Sequence, residues 1–508
     1  MGENGPLNID NLPDDPAILK QIITAQAERE QGMQRRLEKL EHQLELLRRA
    51  RFGPSSERTP QDQMTLFGAQ TYPAELPPPK PEPAAAAEKK GHGRSPLPKT
   101  LRRETIVHDV AEDQKKCVTC GKEMTKIGCD CSEQLEYSPS TLKVIRNERP
   151  KYACRTCQDA IVVAAPPPAP IEKGLPGPGL LAYVAVSKFD DHLPLYRQQE
   201  MLRRQGVEIA RSTLGDWVAQ GAELLYPIVV AMERDLLLSR RIHTDDTPVP
   251  VQDDTREHTR EGRLWDYLGD DDHPQIVFRY SETRKQEHPK EFLKDYNGYL
   301  QADAYSGYNK VFTEGKVIEV GCWAHARRKF FEAETSDAAR SAAALGFIRE
   351  LYAVEEQARE WKPLARQRIR HERSKPILES FRKWLDGEAL SILPQSPMAT
   401  AMTYAHNQWD ALNRYFDDGM LAIDNNAAER ALRAVAIGRK NWMFAGSDEG
   451  GRRAAVFYTL IESAKRVGVE PWAYLKDVFM RVWTHPQNQI VELMPCRWKS
   501  LFGPTNGL

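Results

Sequence analysis

The sequence lacks several features that would assign it to a simple class. It has no run of about 18 consecutive apolar residues, so we expect no transmembrane helix. The first residues, MGENGPLNIDNLPDD, are acidic and contain no apolar segment, which argues against a signal peptide. Neither sign of charge dominates, because 71 basic and 72 acidic residues give a net charge of −1. Since nucleic-acid binding depends on local charge, this balance does not exclude a nucleic-acid partner.

Cysteine is infrequent, but its spacing is informative. Four of the eight cysteines form two CxxC pairs, which favours a metal site in a reducing compartment over a disulfide scaffold. Four thiolates complete the tetrahedral shell of a structural Zn²⁺ ion. The alternative is that one pair is redox-active and the other incidental. The proposed ligands are Cys117, Cys120, Cys154 and Cys157. We interpret Cys129 and Cys131, which lie between the pairs, as free thiols, although a role as spare ligands stays open.

Changes in composition along the chain predict an order of segments. Met33, Leu37, Leu40, Leu44 and Leu47 alternate at spacings of four and three, which is the apolar seam of a short coiled coil. A helix packed on its own protein is the alternative. The predicted segments are a coiled-coil helix at 16–50, a disordered Pro- and Ala-rich linker at 53–100, a zinc module at 101–165, a helical DNA-binding region at 175–238, a catalytic domain at 239–480 and a C-terminal tail at 481–508.

The predicted catalytic domain has the element order of an RNase H-like fold. Three short strands beginning near residue 239 are followed by a helix, two further strands and a second helix. We therefore predict an α/β, RNase H-like (retroviral-integrase-like) core. The almost wholly helical sequence that follows predicts a helical insertion at about 335–420.

Acidic residues occur where such a core holds its metal ligands. Asp245 and Asp246 lie on the first strand, and Asp303 ends the strand YLQADA. Glu429 lies in the early turns of a later helix, whose N-cap is either Asp424 or Asn425. Alternation along a strand places neighbouring side chains on opposite faces but does not say which of the first two acids faces the site. For any single acid the plain alternative is a solvated carboxylate, and Glu429 with Arg433 could form only an i,i+4 ion pair.

Longer motifs resemble one family. The segments HTDDTPVPV, LQADAYSGYN, GCWAHARRKFFEA, AIDNNAAERALRAVAIGRKNWMFAGSDEGGRRAA and IVELMPCRW resemble the DDE transposases of the Insertion Sequence 66 family. So do the two CxxC pairs, the segment PLYRQQEMLRRQGVEIARSTLGDW and the segment RARFGPSSER. The resemblance extends from about residue 30 to residue 508.

The resemblance implies a function and a set of partners. It implies a large transposase subunit of bacterial cytoplasm and nucleoid that acts on double-stranded DNA, both the inverted-repeat ends and the target. It selects Asp245, Asp303 and Glu429 as the catalytic acids, with two Mg²⁺ ions per active site and one structural Zn²⁺. It also implies a homo-oligomer and small accessory proteins encoded by the same element.

Basic residues in two regions are candidates for DNA contacts. The stretch from about 195 to 220 reads as two helices and a turn, in which the second helix, capped by Ser212 or Thr213, enters a groove. A helix that starts after a strand near residue 322 carries cationic side chains at its N-terminus, which suits phosphate. For His325 a packing role is an equal alternative. The predicted DNA-binding residues are Arg203, Arg204, Arg211, Ser212, His325, Arg327, Arg328 and Arg433.

Three functions remain to be compared. The first is an enzyme that cleaves DNA and transfers strands. The second is a catalytically inactive or domesticated zinc and helix-turn-helix regulator, which the presence of all three acids disfavours. The third is an RNase H-like nuclease or resolvase that cuts without joining, which the predicted end-binding modules disfavour. A tyrosine recombinase is unsupported, because Tyr305 and Tyr308 lie beside an Asp and not in a cluster of Arg and His.

Overall fold

The structure is a computed structural model that describes residues 15–52, 97, 99, 101–116, 122–138, 141–153, 161–167, 169–171, 174–253, 255–314 and 316–503. The strands are β1 Arg103–Val107, β2 Thr125–Ser138, β3 Thr141–Ala153, β4 Ile161–Val163, β5 Arg241–Val251, β6 Arg260–Leu268, β7 Ile276–Ser281, β8 Tyr299–Gln301 and β9 Ile318–Val320. The α-helices are α1 Pro16–Phe52, α2 Pro178–Phe189, α3 Leu195–Arg204, α4 Arg211–Leu236, α5 Glu287–Phe292, α6 Asn309–Glu314, α7 Trp323–Glu332, α8 Ala338–Gln357, α9 Pro363–Ile369, α10 Lys375–Glu388, α11 Pro397–Asn407, α12 Trp409–Asn413, α13 Asn426–Trp442, α14 Asp448–Arg466, α15 Pro471–Arg481 and α16 Pro495–Leu501.

The described residues form two compact units. The first takes its residues from 1–96, 326–350 and 376–406, and the second from 97–325, 351–375 and 407–508. No helix in the described ranges combines the length and the apolar character needed to span a membrane.

The first unit is helical. Its core contains an aromatic cluster in which the Phe381 ring stacks on Phe347 at 5.0 Å and lies 6.0 Å from Phe330. The helix α1 also belongs to this unit, and its Met33, Leu37 and Leu40 side chains are 61%, 59% and 57% exposed. The part of the predicted seam whose side chains are described is therefore not covered within the single chain.

The second unit contains two sheets. In the smaller one, β2 and β3 form a long antiparallel hairpin, β1 pairs parallel with β3, and β4 pairs antiparallel with β3. The larger one has the order β7–β6–β5–β8–β9, in which β6 runs antiparallel to its neighbours and β5, β8 and β9 run parallel. Mixed sheets and helices agree with the predicted α/β class.

Helices cover the larger sheet. The residues 264–268, LWDYL, are all buried, as expected for a strand with both faces covered. The helix α13 packs on β5, and α14 packs on β7, where the Thr459 hydroxyl accepts from the backbone N–H of Phe278 at 2.8 Å. The helices α2, α4 and α15 pack together and against α14.

Several boundaries differ from the sequence-based expectation. The helix α4 starts at Arg211 with Ala210 as its N-cap and no side-chain cap, so a cap by Ser212 or Thr213 was wrong. The segment expected as a tail after residue 481 includes α16, in which Trp498 is buried in the core. The strand β8 stops at Gln301, because the chain turns there through Ala304 at φ 59°.

Candidate catalytic site

The site is built where β5 and β8 cease to pair. The last residues of that parallel pairing are His243 and Gln301, and an aspartate follows each of them two residues later, one within β5 and one in the loop after β8. These aspartates are Asp245 and Asp303. Because both acids follow paired residues at the same distance along the chain, they lie close together, and the charge of Asp303 acts on Asp245.

A buried amide places the third acid nearby. The Asn425 side chain donates to the Thr244 carbonyl at 2.8 Å and lies 3.0 Å, oxygen to nitrogen, from His243 Nδ1. These bonds attach the start of α13 to β5. Glu429 lies in the first turn of that helix, so the helix is held with its first turn beside the acids of the strand.

The electrostatics of Asp245 reflect this convergence. Burial, together with the smaller effect of the charges of Asp303, Asp246 and Glu429, raises the pKa of Asp245 to about 7. A hydrogen bond from the Asp246 N–H to Asp245 Oδ1, at 2.8 Å, acts in the opposite direction. The three predicted acids therefore interact, and Asp245 lies at the centre of their repulsion.

Asp246 has a different environment. Its side chain is 1% exposed, and it forms ion pairs with Arg263 at 3.1 Å and Arg284 at 2.8 Å. Alternation along β5 directs it away from the face of Asp245. Its charge is thus already balanced by two guanidinium groups.

Arg284 connects Asp246 with the loop that carries Asp303. Its Nη2 lies 3.9 Å from Asp303 Oδ2, and its guanidinium lies 3.8 Å from the centre of the Tyr305 ring. The Asp303 Oδ1 atom accepts a hydrogen bond from the Tyr305 N–H at 3.1 Å. We did not single out Arg284 from the sequence, because the segment SETRKQEH offers no motif.

His325 belongs to the same site. It lies in the first turn of α7, and its Nε2 is 3.7 Å from Glu429 Oε1. The side chains of His325, Glu429 and Asp303 are 19%, 30% and 21% exposed, so all three are partly accessible to solvent.

A fourth carboxyl, Asp266, was missed. It is fully buried on β6 directly opposite Asp245, and burial raises its pKa well above the usual range. The available signal was an acid in the middle of the apolar strand LWDYL, where an isolated charge is costly.

The acidic side chains of the site can be compared with the ligands that a divalent cation prefers. In the part of the chain that the structure describes, no three His, Cys, Asp or Glu side chains form a group that could hold a metal ion. Asp245, Asp303 and Glu429 nevertheless offer oxygen ligands from three chain segments, which is the donor type that Mg²⁺ prefers. Their repulsion, seen in the pKa of Asp245, is what a bound cation would relieve. These three side chains therefore have the oxygen donors that such an ion needs, although in the described part of the chain they do not form a metal-binding group.

The predicted DNA-contacting residues occupy several places. Arg203 is exposed at the end of α3 and pairs with Glu200 at 2.8 Å. Arg204, Arg211 and Ser212 are exposed at the facing ends of α3 and α4. Arg433 is exposed on α13 of the same unit, whereas Arg327, half-buried, and Arg328, exposed, are on α7 in the first unit.

The four cysteines of the predicted zinc site lie outside the described residues. Of the described flanks, Lys116 forms an isolated antiparallel bridge with Glu123, and Ala153 of β3 pairs with Ile161 of β4 in the small sheet. Between the pairs, Cys129 is half-buried and Cys131 exposed on β2, and neither forms a disulfide.

Comparison with known proteins decides the family. A family model described as Transposase IS66 family matches residues 173–453, which is more than half of the chain. This chain belongs to the IS66 transposase family. Further IS66 models match residues 39–106 (Transposase C of IS166 homeodomain), 114–158 (zinc-finger binding domain of transposase IS66) and 459–496 (IS66 C-terminal element). The resemblance inferred from the motifs is confirmed, and the zinc-finger match supports a structural Zn²⁺ ion.

Relatives of similar length occur in Sinorhizobium fredii (strain NBRC 101917 / NGR234). Its uncharacterized protein y4hP is 35% identical over 494 residues, covering 91% of this chain and 88% of the relative. Its uncharacterized protein y4qI is 32% identical over 540 residues, covering 97% and 99%. The IS66 family thus accounts for nearly the whole chain.

Proposed function

We propose that this IS66-family protein binds the ends of an insertion sequence and catalyses Mg²⁺-dependent DNA strand cleavage and strand transfer. The observation that carries the proposal is the convergence of Asp245, Asp303 and Glu429 from β5, the β8 loop and α13, expressed in the raised pKa of Asp245. Family membership supports the transposase activity, and we propose that these three residues carry it.

The strand order supports an RNase H-like core. The order β7–β6–β5–β8–β9, with only β6 antiparallel, makes β5, which carries Asp245, the neighbour of β8, which is followed by the loop that carries Asp303. In the RNase H-like arrangement expected from the sequence, carboxylates lie at the ends of adjacent strands and on a later helix. The positions of Asp303 directly after β8 and of Glu429 in the first turn of α13 support this proposal, whereas Asp245 lies within β5, just beyond the point where its pairing with β8 stops.

Each side chain has a part in the proposed reaction. Bound divalent cations would supply activation of a water or 3′-hydroxyl and neutralisation of charge on the phosphodiester. Asp245, Asp303 and Glu429 would hold them through carboxylate oxygens. Arg284 neutralises Asp246 and lies beside Asp303, so it limits the repulsion that ionised Asp303 meets. His325, 3.7 Å from Glu429, would orient that carboxylate.

The remaining modules would bring DNA and partners to the site. We propose that a zinc module held by the four cysteines and the α3–α4 pair bind the inverted repeats. Self-association through α1 and cooperation with accessory proteins would assemble the complex on bacterial chromosomal DNA in the cytoplasm.

The test is a cleavage assay on the ends of the element. Purified protein, Mg²⁺ and end-labelled duplexes should yield a nicked product with a 3′-hydroxyl and, with target DNA added, a joined product. The reaction is repeated with the accessory proteins present. Tight binding to the ends without cleavage in either mixture would overturn the catalytic proposal and favour the DNA-binding regulator.

A further inference from the structure

A basic cleft lies beside the candidate catalytic site and has no assigned role. It has a volume of about 370 Å³ and opens between the start of β5, α13 and α14. Its charged and polar lining consists of Arg241, His243, Arg430, Glu462, Lys465 and Arg466. All of these residues belong to the second unit.

Three arginines in this cleft lack a carboxylate partner. Neither Arg241, Arg430 nor Arg466 forms a salt bridge with any acid in the described ranges. Arg466 donates to the carbonyls of Gly269 and Gln275, and Arg241 donates to the carbonyl of Met420. These bonds fix the two guanidinium groups in position, but a carbonyl oxygen is neutral and does not balance their charge.

Burial makes this arrangement costly without an anion. The Nε atom of Arg241 is buried and has no hydrogen-bond partner among the described residues. Burial lowers the pKa of Arg241 and of Arg466, and the charge of Arg241 lowers that of Arg466 further. Asp270 and Asp271 offset only part of this effect. Like charges held together in a partly buried cleft are stabilised by a bound anion.

The other groups in the cleft do not cancel the three arginines. Lys465 pairs with Glu462 at 3.0 Å and with Asp190 at 2.7 Å, so those charges are engaged with one another. The positive charge therefore rests on Arg241, Arg430 and Arg466.

Two residues of the cleft are close in sequence to the catalytic acids, on the same strand and on the same helix. Arg241, His243 and Asp245 alternate along one face of β5, and four residues of strand span roughly 13 Å. On α13, Arg430 directly follows Glu429 in the chain. A DNA strand at the acids would therefore have a neighbouring phosphate within reach of the cleft.

We infer that this cleft is a phosphate-binding pocket that holds a backbone phosphate of the DNA strand, one or two nucleotides from the phosphodiester at the catalytic acids. The inference rests on the proposed function. It adds to that function a set of residues that determines which phosphodiester of the DNA strand lies at the catalytic acids. Guanidinium groups suit this task because they bind phosphate oxygens through paired N–H donors.

The test combines one substitution with uncharged phosphates. Arg430→Gln removes the exposed arginine, which makes no other described hydrogen bond, so folding should be preserved. Duplex ends carrying a single methylphosphonate at each position near the cleavage point are titrated against the wild-type protein and Arg430→Gln. In the wild type, a methylphosphonate at one position should weaken DNA binding. In Arg430→Gln, a methylphosphonate at the same position should leave DNA binding unchanged. The slope of log K against log salt should also fall by about 0.9. Arg368→Gln, an exposed arginine on α9 outside the cleft, is the matched control.

The outcomes separate this inference from the proposed function. If the wild type binds the ends but Arg430→Gln keeps the same methylphosphonate pattern, the inference is wrong while the proposed function stands. If inorganic phosphate alone raises the thermal midpoint of the wild type but not of Arg430→Gln, and the pattern is unchanged, the cleft binds a free anion instead. A wild-type protein that binds no DNA overturns both.

Discussion

Asp266 lies directly opposite Asp245 across the β5–β6 pair, and its Oδ1 accepts a hydrogen bond from the Asp245 backbone N–H at 2.9 Å. The other oxygen of Asp266 is buried and has no hydrogen-bond partner among the described residues. Burial, with the charge of Asp245 added, raises the pKa of Asp266 well above its usual range. Asp266 therefore keeps its proton to a higher pH than an ordinary aspartic acid, which spares Asp245 a further negative neighbour.

This pair predicts how stability depends on pH. Both acids have folded-state pKa values above their unfolded values, so the folded protein holds more protons between about pH 4 and 7. Stability from this source is fully present below about pH 4 and is lost as the pH rises through the folded pKa of Asp245, near 7. The thermal midpoint without divalent cations should therefore fall less with pH in Asp245→Asn than in the wild type. The exposed substitution Asp295→Asn serves as a control, and equal pH profiles for all three proteins would contradict the prediction.

The second prediction concerns zinc. Purified, reduced protein should contain about one Zn²⁺ per chain, and Cys117→Ser should lose it, because structural zinc depends on all four thiolates. Chelation should unfold the module. Cys129→Ser with Cys131→Ser should keep the zinc, since both thiols lie on β2 between the pairs. Elemental analysis decides the matter, and reduced wild-type protein without zinc would show the assignment to be wrong.

Much of the larger sheet was predictable from the sequence, for physical reasons. The five strands of that sheet are short apolar or alternating runs, and their order along the chain already indicated where Asp245 and Asp303 belong. Which of Asp245 and Asp246 faces the site was not predictable, because alternation fixes only that they face opposite ways. The ion pairs of Asp246 with Arg263 and Arg284 come from residues distant in sequence.

Other features depend on contacts that no local pattern records. Asp266 and Asn425 contribute to the site through hydrogen bonds to the backbone of β5. Arg241 and Arg466 line the same cleft only because α14 packs on the sheet. The cap expected at Ser212 or Thr213 failed because α4 begins earlier, at Arg211. Tertiary packing outweighs a local capping preference in such cases.

The third prediction tests the helices α3 and α4. Replacing Arg203 and Arg204 with alanine should weaken binding to all DNA sequences and reduce the salt slope by up to about 1.8, because each phosphate contact contributes about 0.9. Arg203 now pairs with Glu200 on the surface, so its loss should not unfold the helix. Replacing Arg211 should weaken DNA binding and should also change the preference of the protein for particular DNA sequences. Fluorescence anisotropy across a salt series measures both, and an unchanged slope would count against this surface.

The fourth prediction concerns self-association. Leu37 and Leu40 are more than half exposed on α1, and a partner helix would cover them. Leu37→Asp with Leu40→Asp would place charges in that seam, so the assembly should dissociate to a smaller mass. Light scattering coupled to size exclusion gives the mass directly. If wild type and variant elute with the same mass, α1 does not mediate assembly.

The last prediction concerns the catalytic acids. Asp245→Asn, Asp303→Asn and Glu429→Gln each remove one charge while keeping the shape of the side chain. DNA-end binding should survive in all three, and Mg²⁺-dependent cleavage and joining should fall by several orders of magnitude. The combined variants should be no worse than the single ones, because residues that act as a unit give non-additive losses. Ca²⁺, with its looser coordination, should support binding and little chemistry.

The informative control is Asp246→Asn. Its side chain is balanced by Arg263 and Arg284 on the other face of β5, so its amide should retain far more cleavage activity than Asp245→Asn. It should instead lose stability, on the order of 1–2 kcal/mol, since both arginines are left without a buried partner. Cleavage rates and thermal midpoints are therefore measured together. An inactive Asp246→Asn beside an active Asp245→Asn would reverse the assignment of the two faces of β5. Normal cleavage by all three amides of the catalytic acids would remove the enzymatic proposal, because no other described site brings carboxylates from β5, the β8 loop and α13 together.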